Sequence, residues 1–492
     1  MNFVEFLFEN SRFSDQEFIA GTGEKITFRE LYDRVEDLSR WMAREHGSGN
    51  EVLILADNSV FFVLAYLATM RSGNVPLLVE TRISGEDLAA LMSACHPLMA
   101  FVQRRLAAKA VPGLPTLTED DLPEAVAEDV RARVSEDDLA VVVFTSGSTG
   151  NKKGVMITHG NLIANTSSIV EYLDLTAEDR MMVVLPFYYC YGASLLHTHL
   201  RAGGSLVLSQ SIFLGAVLAD IDRYECTGLA GVPSTFQILM ARTKFLERRF
   251  PTLRYMTQAG GRLEPKAIIA IADAFPDVRF YVMYGATEAT ARLSYLPPDL
   301  LRSKTASIGK GISGVSLEVL DENGRPVRPG QTGEVVAAGR NIMKGYYGDE
   351  EGTREVLTDG RYRTGDLATV DEDGYIYIVG RARDIIKCAG YRVSPYEIES
   401  VVAAADGVDT SAVVGVPDDL LGEAIVAAVL RKGGTSEEEV KESVLARCRQ
   451  ALPSYKVPKL VVFLEEMPLN SSNKVDKIRI RQMLARGELP VR

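Results

Sequence analysis

Cysteine and histidine are scarce, five of each in 492 residues. Cys95, Cys190, Cys226, Cys388 and Cys448 are odd in number, scattered and never arranged as CxxC. That excludes a disulfide scaffold and a zinc ribbon, and fits reduced thiols. Among the histidines only His197 and His199 are close in sequence. Two residues apart, they would not share a helix face, so a packing or polar role is expected rather than a metal pair. Basic charge is also in deficit: 54 Lys+Arg stand against 66 Asp+Glu, a formal charge of -12. A protein that grips phosphate backbones usually carries the opposite sign, so nucleic acid is not an expected partner. Long apolar runs are missing. The best candidate, 52–70, is interrupted by Asp57, Asn58 and Ser59, short of the ~18 apolar residues of a spanning helix. At the start, Glu5 stands where a signal peptide needs Lys or Arg, and Glu9 ends the apolar run. No export signal, no transmembrane segment and a cytoplasmic location are expected.

What is present is ordinary globular material, 46% hydrophobic and 24% charged. The length corresponds to about three domain-equivalents. Val141–Ser146, Val183–Pro186, Leu229–Pro233 and Phe280–Gly285 read as buried strands, each ending in Gly, Pro or Ser. The segments Asn161–Leu173 and Pro265–Ala274 read as helices. This alternation predicts parallel sheets covered by helices, with ligands gathered at the carboxyl ends of the strands. Near Val315 the runs shorten, alternate and are divided by Asn323-Gly324, Pro329-Gly330 and Asp373-Gly374, which predicts antiparallel strands or a small barrel. After Gly380 a charged joint, RARDIIK, leads into mixed helix and strand. A compact α+β domain of roughly 110 residues is expected there, with its boundary near Arg381 to Asp384.

The most informative segment is FTSGSTGNKKGV, Phe144 to Val155. Thr145, Ser146, Ser148 and Thr149 sit among Gly147, Gly150 and Gly154, and Lys152 and Lys153 close the run. Glycines let backbone N–H groups turn inward as an anion nest, hydroxyls add donors and lysine adds charge. Each hydrogen bond to a charged group contributes ~1.5–3 kcal/mol, so several together would hold a polyphosphate. A Walker loop is excluded because neither Gly147 nor Gly150 has a glycine five residues on. A nucleophile elbow is excluded because Ser146 and Ser148 lack the flanking glycines. The alternative is a flexible Ser/Gly connection, which seldom follows a buried strand and ends in paired lysines.

This segment resembles the phosphate-binding loop of the AMP-forming acyl and aryl adenylating enzymes: acyl-CoA synthetases, adenylation domains of peptide synthetases and firefly-type luciferases. Their usual Pro before the loop lysine is Lys152 here, so Lys153 matches the lysine. Three further segments follow in family order. In YGATEAT, the resemblance makes Glu288 the Mg²⁺ ligand, Thr287 a contact of the α-phosphate and Tyr284 a surface along adenine, with Gly285 beside them. The alternative is a helix start capped by Thr287. AGGRL brings Gly260 and Gly261 to the adenine and acyl pocket. RTGDLA makes Asp366 the ribose ligand, with Arg381 beside it; the alternative is an Asp in a surface turn. PLNSSNKVDK makes Lys474 the catalytic lysine, with Asn473 where the family usually has Gly; by itself a tail lysine is a solvated charge.

The resemblance implies an α/β protein. Its large N-terminal domain, residues 1–382, holds two helix-covered sheets, a small β-barrel, and the ATP and acyl pocket. A smaller mobile α+β domain, residues 383–492, carries the lysine. Arg383 sits at the family's hinge position, and Gly390, of Gly390-Tyr391-Arg392, lines the thiol channel; a solvent-facing charge and an ordinary turn are the alternatives. Leu185–Ser194 matches the acyl-pocket stretch, giving Tyr188, Tyr189 and Tyr191 as lining residues. It contains no acidic residue to pair a substrate ammonium, which favours a fatty or aryl acid without an α-amine. The implied cofactors are ATP, Mg²⁺ and CoA, or else the phosphopantetheine of an acyl or peptidyl carrier protein. The tail from Lys474 to Arg492 holds six basic residues, a match for CoA phosphates or an acidic carrier protein, or a solvated helix face. Gly309–Gly314 fits GxGxxG, but a strand pattern follows it where a dinucleotide site needs a helix.

Overall fold

A computed structural model describes residues 1–21, 23–123, 130, 132–145, 153–209, 214–469 and 475–489. The chain forms two compact units, 1–317 with 337–363, and 318–336 with 364–492. It passes between them inside three strands, Val315–Leu320, Gly333–Gly339 and Arg361–Val370.

The first unit is built on two sheets. In the nine-stranded sheet, Arg279–Tyr284, Tyr255–Gln258, Gly228–Gly231, Arg180–Val183, Ser205–Leu208 and Glu17–Ala20 run parallel in that order. In the seven-stranded sheet, Leu139–Thr145, Val75–Leu78, Glu51–Leu55 and Met99–Val102 are parallel neighbours. Lys153–Thr158 then returns antiparallel beside Leu139–Thr145. Parallel strands buried on both faces need continuous apolar runs, and FYVM and AVVV supply them. Helices His159–Leu173 and Pro265–Ala274 lie where the periodicity predicts them. The first is fixed by a reciprocal capping box between Thr158 and Asn161.

The interrupted run 52–70 resolves into the strand Glu51–Leu55 and the helix Val60–Arg71, buried on every face. Ser59 is that helix's N-cap, its hydroxyl accepting from Phe62 N at 3.1 Å. Among the described residues no helix is long and apolar enough to cross a membrane. Strands Lys310–Gly311 and Val315–Leu320 occupy and follow the GxGxxG match, and no helix opens there.

His197 and His199 both lie in the buried helix Cys190–Ala202. Each is paired at Nε2 with a tyrosine hydroxyl at 3.0 Å, His197 with Tyr66 and His199 with Tyr255. His159 Nδ1 accepts from Phe3 N at 3.1 Å. Burial pushes His159 and His199 down to about 4 and His197 to about 3. The unfolded chain therefore binds more protons below pH 6.5, and stability falls as pH drops through that window. At pH 5 the cost is about 2 kcal/mol for each imidazole. The melting temperature is expected to fall steeply between pH 6.5 and 5; a flat profile followed by circular dichroism would contradict this.

In the second unit, residues 366–370 pair antiparallel with Ile376–Arg381. A five-stranded sheet follows, in which Gly422–Arg431 lies between Val408–Asp418 and Leu460–Leu464. Helices Pro395–Val402 and Glu437–Ala451 pack against it over a Val/Ile-rich core. The tail helix Lys477–Ala485 is capped by Asp476. Three of the tail's basic residues are paired within the unit: Lys477 with Glu399 at 2.7 Å, Arg481 with Asp384 at 3.8 Å and Arg486 with Glu488 at 3.7 Å.

Candidate active site

Three of the segments singled out in the sequence leave the carboxyl ends of parallel strands in the first unit, where backbone N–H groups and loop side chains are not consumed by the ladder. The strand Leu139–Thr145 delivers Thr145, whose hydroxyl donates to Lys153 O at 3.4 Å. Thr145 and Lys153 stand directly opposite in the antiparallel pair, so both ends of the Gly/Ser connection are pinned. Ser146, Gly147, Ser148, Thr149 and Gly150 lie outside the described residues, as does Lys152. Lys153 opens a strand rather than ending a loop. Its ammonium pairs with Asp349 at 3.1 Å and lies 4.5 Å over the Tyr346 ring.

The strand Tyr255–Gln258 leads to Gly260, with φ +89°, and Gly261, whose carbonyl accepts from Gln258 Nε2 at 2.8 Å. The strand Arg279–Tyr284 leads to Gly285 and a short 3-10 helix, Thr287–Ala289. Ala286, not Thr287, occupies the N-cap, so the capped-helix alternative for Thr287 is set aside. Thr287 Oγ1 donates to Cys190 Sγ at 3.4 Å, and Glu288 Oε1 accepts from Tyr346 OH at 2.8 Å. The turn continues through Thr290 at φ +67°. That conformation is costly for a β-branched residue and persists only where its surroundings impose it. Here Thr290 Oγ1 donates to Asn341 O at 2.7 Å. Asn165 and Asn341 both donate to Arg292 O, at 2.9 and 3.0 Å. The buried Arg292 guanidinium lies 4.9 Å over the Tyr191 ring.

Residues 185–194, the stretch expected to border the acyl group, split into two environments. Tyr188 and Tyr189 are half-buried, with ring centroids 4.8 Å apart. Tyr191 is buried, and its hydroxyl bonds to Thr257 O and Oγ1 at 3.0 and 2.8 Å. Burial pushes the Tyr191 hydroxyl well above its usual range. Asn58 clamps the stretch, donating to Leu185 O at 2.8 Å and accepting from Phe187 N at 2.7 Å. Glu80 accepts from Tyr189 OH at 3.3 Å. An acidic side chain therefore does reach this stretch, from a segment more than a hundred residues away, which a local reading of 185–194 could not register.

In the second unit Asp366 follows Gly365, at φ +72°. It is buried opposite Arg381 and paired with its Nε at 2.8 Å. Arg383 is exposed in the short 3-10 helix Ala382–Asp384. Gly390 is exposed at φ +81°, and Tyr391 after it stacks on Tyr455 at 4.0 Å. Lys474 and Asn473 lie outside the described residues. Val475 bridges to Leu469 and Asp476 N donates to Pro468 O at 2.8 Å, so the ends of that segment meet.

Among the described residues no group of three or more His, Cys, Asp or Glu could hold a metal ion. Glu288, a single carboxylate bonded to Tyr346, could hold Mg²⁺, which takes one or two carboxylates and completes its shell with substrate phosphates and water.

A family model described as AMP-binding enzyme matches residues 8–347, and one described as AMP-binding enzyme C-terminal domain matches residues 397–474. The chain belongs to the AMP-binding enzymes. This AMP-binding enzyme is 32% identical over 467 residues to a feruloyl-CoA synthase of Amycolatopsis sp, with 94% of each chain covered. It superposes on ATP-bound MatB from Rhodopseudomonas palustris with a TM-score of 0.88 at 29% identity, over 98% of both chains. The o-succinylbenzoate CoA synthetase MenE from Bacillus subtilis, solved with its acyl-adenylate intermediate OSB-AMP, aligns with a TM-score of 0.87 at 25% identity over 98% of this chain and 97% of that one.

Proposed function

We propose that this AMP-binding enzyme is an AMP-forming carboxylate–CoA ligase acting on an aryl or fatty acid without an α-amine. The observation that carries the reading is the meeting of Glu288 and Lys153, which come from the two different sheets, at one tyrosine, Tyr346. The names and adenylate complexes of its relatives support the same chemistry.

In the first half-reaction a carboxylate oxygen of the substrate attacks the α-phosphorus of ATP, and the bond to pyrophosphate breaks. Two anions must approach, so fixed positive charge and donors aimed at the developing charge carry most of the catalysis. Lys474 bridges the carboxylate and the α-phosphate. Thr287 donates to the α-phosphate. Thr145 to Gly150 and Lys153 hold the departing phosphates, Tyr284, Gly260, Gly261 and Gly285 border the base, and Asp366, set by Arg381, accepts from the ribose hydroxyls. Mg²⁺, held through Glu288, neutralises charge on the phosphates when bound. In the second half-reaction the CoA thiol attacks the acyl carbon and AMP leaves. A functional boundary at 382/383, with Arg383 as hinge, exchanges Lys474 for the Gly390 turn between the two steps. Tyr188 and Tyr189 border the acyl group, while Tyr191 supports them from the core. A cytoplasmic location, where ATP and CoA are both at hand, is part of the same reading.

The test is AMP release from ATP and Mg²⁺ with a panel of acids, each with and without CoA. The panel spans hydroxycinnamic, benzoic, dicarboxylic, short and long fatty, and amino acids. AMP and thioester appearing together only with CoA is the expected result, with an aryl or fatty acid preferred. Adenylate that stays bound and transfers only to a carrier-protein phosphopantetheine would replace CoA as acceptor. An amino acid as the best substrate would overturn the substrate class and turn attention to Glu80.

A further inference from the structure

One side chain stands between Glu288 and Lys153 and belongs to none of the segments singled out in the sequence. Tyr346 lies in the two-residue strand Gly345–Tyr346, antiparallel to the strand that Lys153 opens, with Tyr346 opposite Val155. It is 7% exposed. Its hydroxyl donates to Glu288 Oε1 at 2.8 Å, and its ring face lies 4.5 Å from the Lys153 ammonium. Hydroxyl and ring thus act on two different groups of the site.

The backbone around Tyr346 is fastened to Glu288 and to the strand that Lys153 opens. Met343 N donates to Glu288 O at 2.8 Å, Lys344 N to Met156 O at 2.9 Å and Tyr347 N to Gly154 O at 2.7 Å. Tyr346 N donates to Thr353 Oγ1 at 2.9 Å. Beyond the ring, Asp349 holds Lys153 with Oδ2 and caps the helix Glu350–Val356 with Oδ1, which accepts from Gly352 N at 2.8 Å. The cap and the Lys153 pair hold the Asp349 carboxyl below its usual range. The fit is close: a Cβ on Gly352 would come within 2.3 Å of Asp349 Oδ2 and 2.6 Å of Lys153 Nζ.

The geometry points to Tyr346 as a positioning residue that sets the orientation of the Glu288 carboxylate toward the metal and the height of Lys153 toward the phosphates. A carboxylate free to rotate must be ordered when the metal arrives; one already bonded through Oε1 presents its second oxygen in a fixed direction. Groups that orient a metal ligand in this way are worth about 10–100-fold in metal affinity. The ring supplies a separate service, a cation–π face that holds the lysine ammonium in place. This inference rests on the reading of Glu288 and Lys153 given under Proposed function.

The experiment measures binding, not turnover. Mn²⁺ affinity is read by electron paramagnetic resonance on the full chain saturated with an α,β-methylene ATP analogue, and analogue affinity is read separately in EDTA. Tyr346→Phe keeps the ring and removes the hydroxyl. It is expected to weaken Mn²⁺ binding about tenfold and leave metal-free analogue binding unchanged. Added to Glu288→Gln, it is expected to cause no further loss, because the two groups act as one unit. Tyr346→Leu, which removes the ring as well, is expected to weaken metal-free analogue binding too. Wild-type Mn²⁺ affinity in Tyr346→Phe, with Glu288→Gln impaired, would show that the tyrosine only packs. Equal weakening of metal-free binding in Tyr346→Phe would mean general loosening and would also overturn the inference. Wild-type affinity in Glu288→Gln would remove the metal-ligand reading itself, and the proposal with it.

Discussion

Alanine at position 285 is expected to lower AMP formation by at least about 10²-fold and to destabilise the first unit by about 1–3 kcal/mol. An added Cβ would sit 2.0 Å from Ala291 O, 2.8 Å from Ala291 C and 3.0 Å from Arg292 Cα. All three are backbone atoms, so no rotamer change relieves the clash. Nor can the turn swing outward. Leu293 N donates to Tyr284 O at 2.9 Å, and Asn165 and Asn341 hold Arg292 O on the far side. Either the strand end or the turn must move by about an ångström, which carries Thr287 and Glu288 out of register with Lys153; a misplacement of that size costs about 10²-fold. Gly215→Ala is the control. It lies in the first turn of the helix Leu214–Arg223, and a Cβ there meets nothing within 4 Å, so stability and AMP release are expected to stay close to wild type. AMP release and thermal melting on both variants decide the matter. Activity within a few-fold of wild type in Gly285→Ala would refute the claim that this turn sets the site.

Lys474→Ala is expected to separate the two half-reactions. Adenylate formation should fall by about 10²–10³-fold, the usual cost of one donor aimed at developing charge. Thioester formation from a supplied acyl-adenylate and CoA should stay within a few-fold, because the positive charge is needed only while two anions are joined. Single-turnover assays of each half-reaction provide the measurement. An equal loss in both would mean that the lysine binds a common part of the substrates and does not act on the first step.

Much of the fold was legible because parallel strands and amphipathic helices write themselves into local apolar patterns. Pro265–Ala274 coincides with the pattern's own limits, and Ser436 caps Glu437–Ala451 through a reciprocal box with Glu439. The candidate site was legible where glycine and hydroxyl residues cluster at strand ends. The tertiary pairings were not. Tyr346, Asp349 and Gly352 surround Lys153 from almost two hundred residues away, and their only local signal is an Asp followed by two glutamates, a helix start like any other. Glu80 and Asn58 reach the acyl stretch for the same reason: each lies in a loop at the end of a strand in the second sheet, and only the meeting of the sheets brings them to Leu185 and Tyr189.

Asn58 bears on how substrate preference can be transplanted between relatives. A designer exchanging residues 185–191 as a cassette would be moving half of a lock. Its two backbone contacts, Leu185 O and Phe187 N, are both read by one amide from another sheet. Gly192 closes the other end, since any side chain there would strike Pro186 O. A graft that carries new pocket side chains but a different residue at 58 inherits the letters of the pocket without its spacing. On the proposed reading of residues 185–191 as the acyl pocket, position 58 belongs to the heritable unit of specificity, although the acyl group need never touch it.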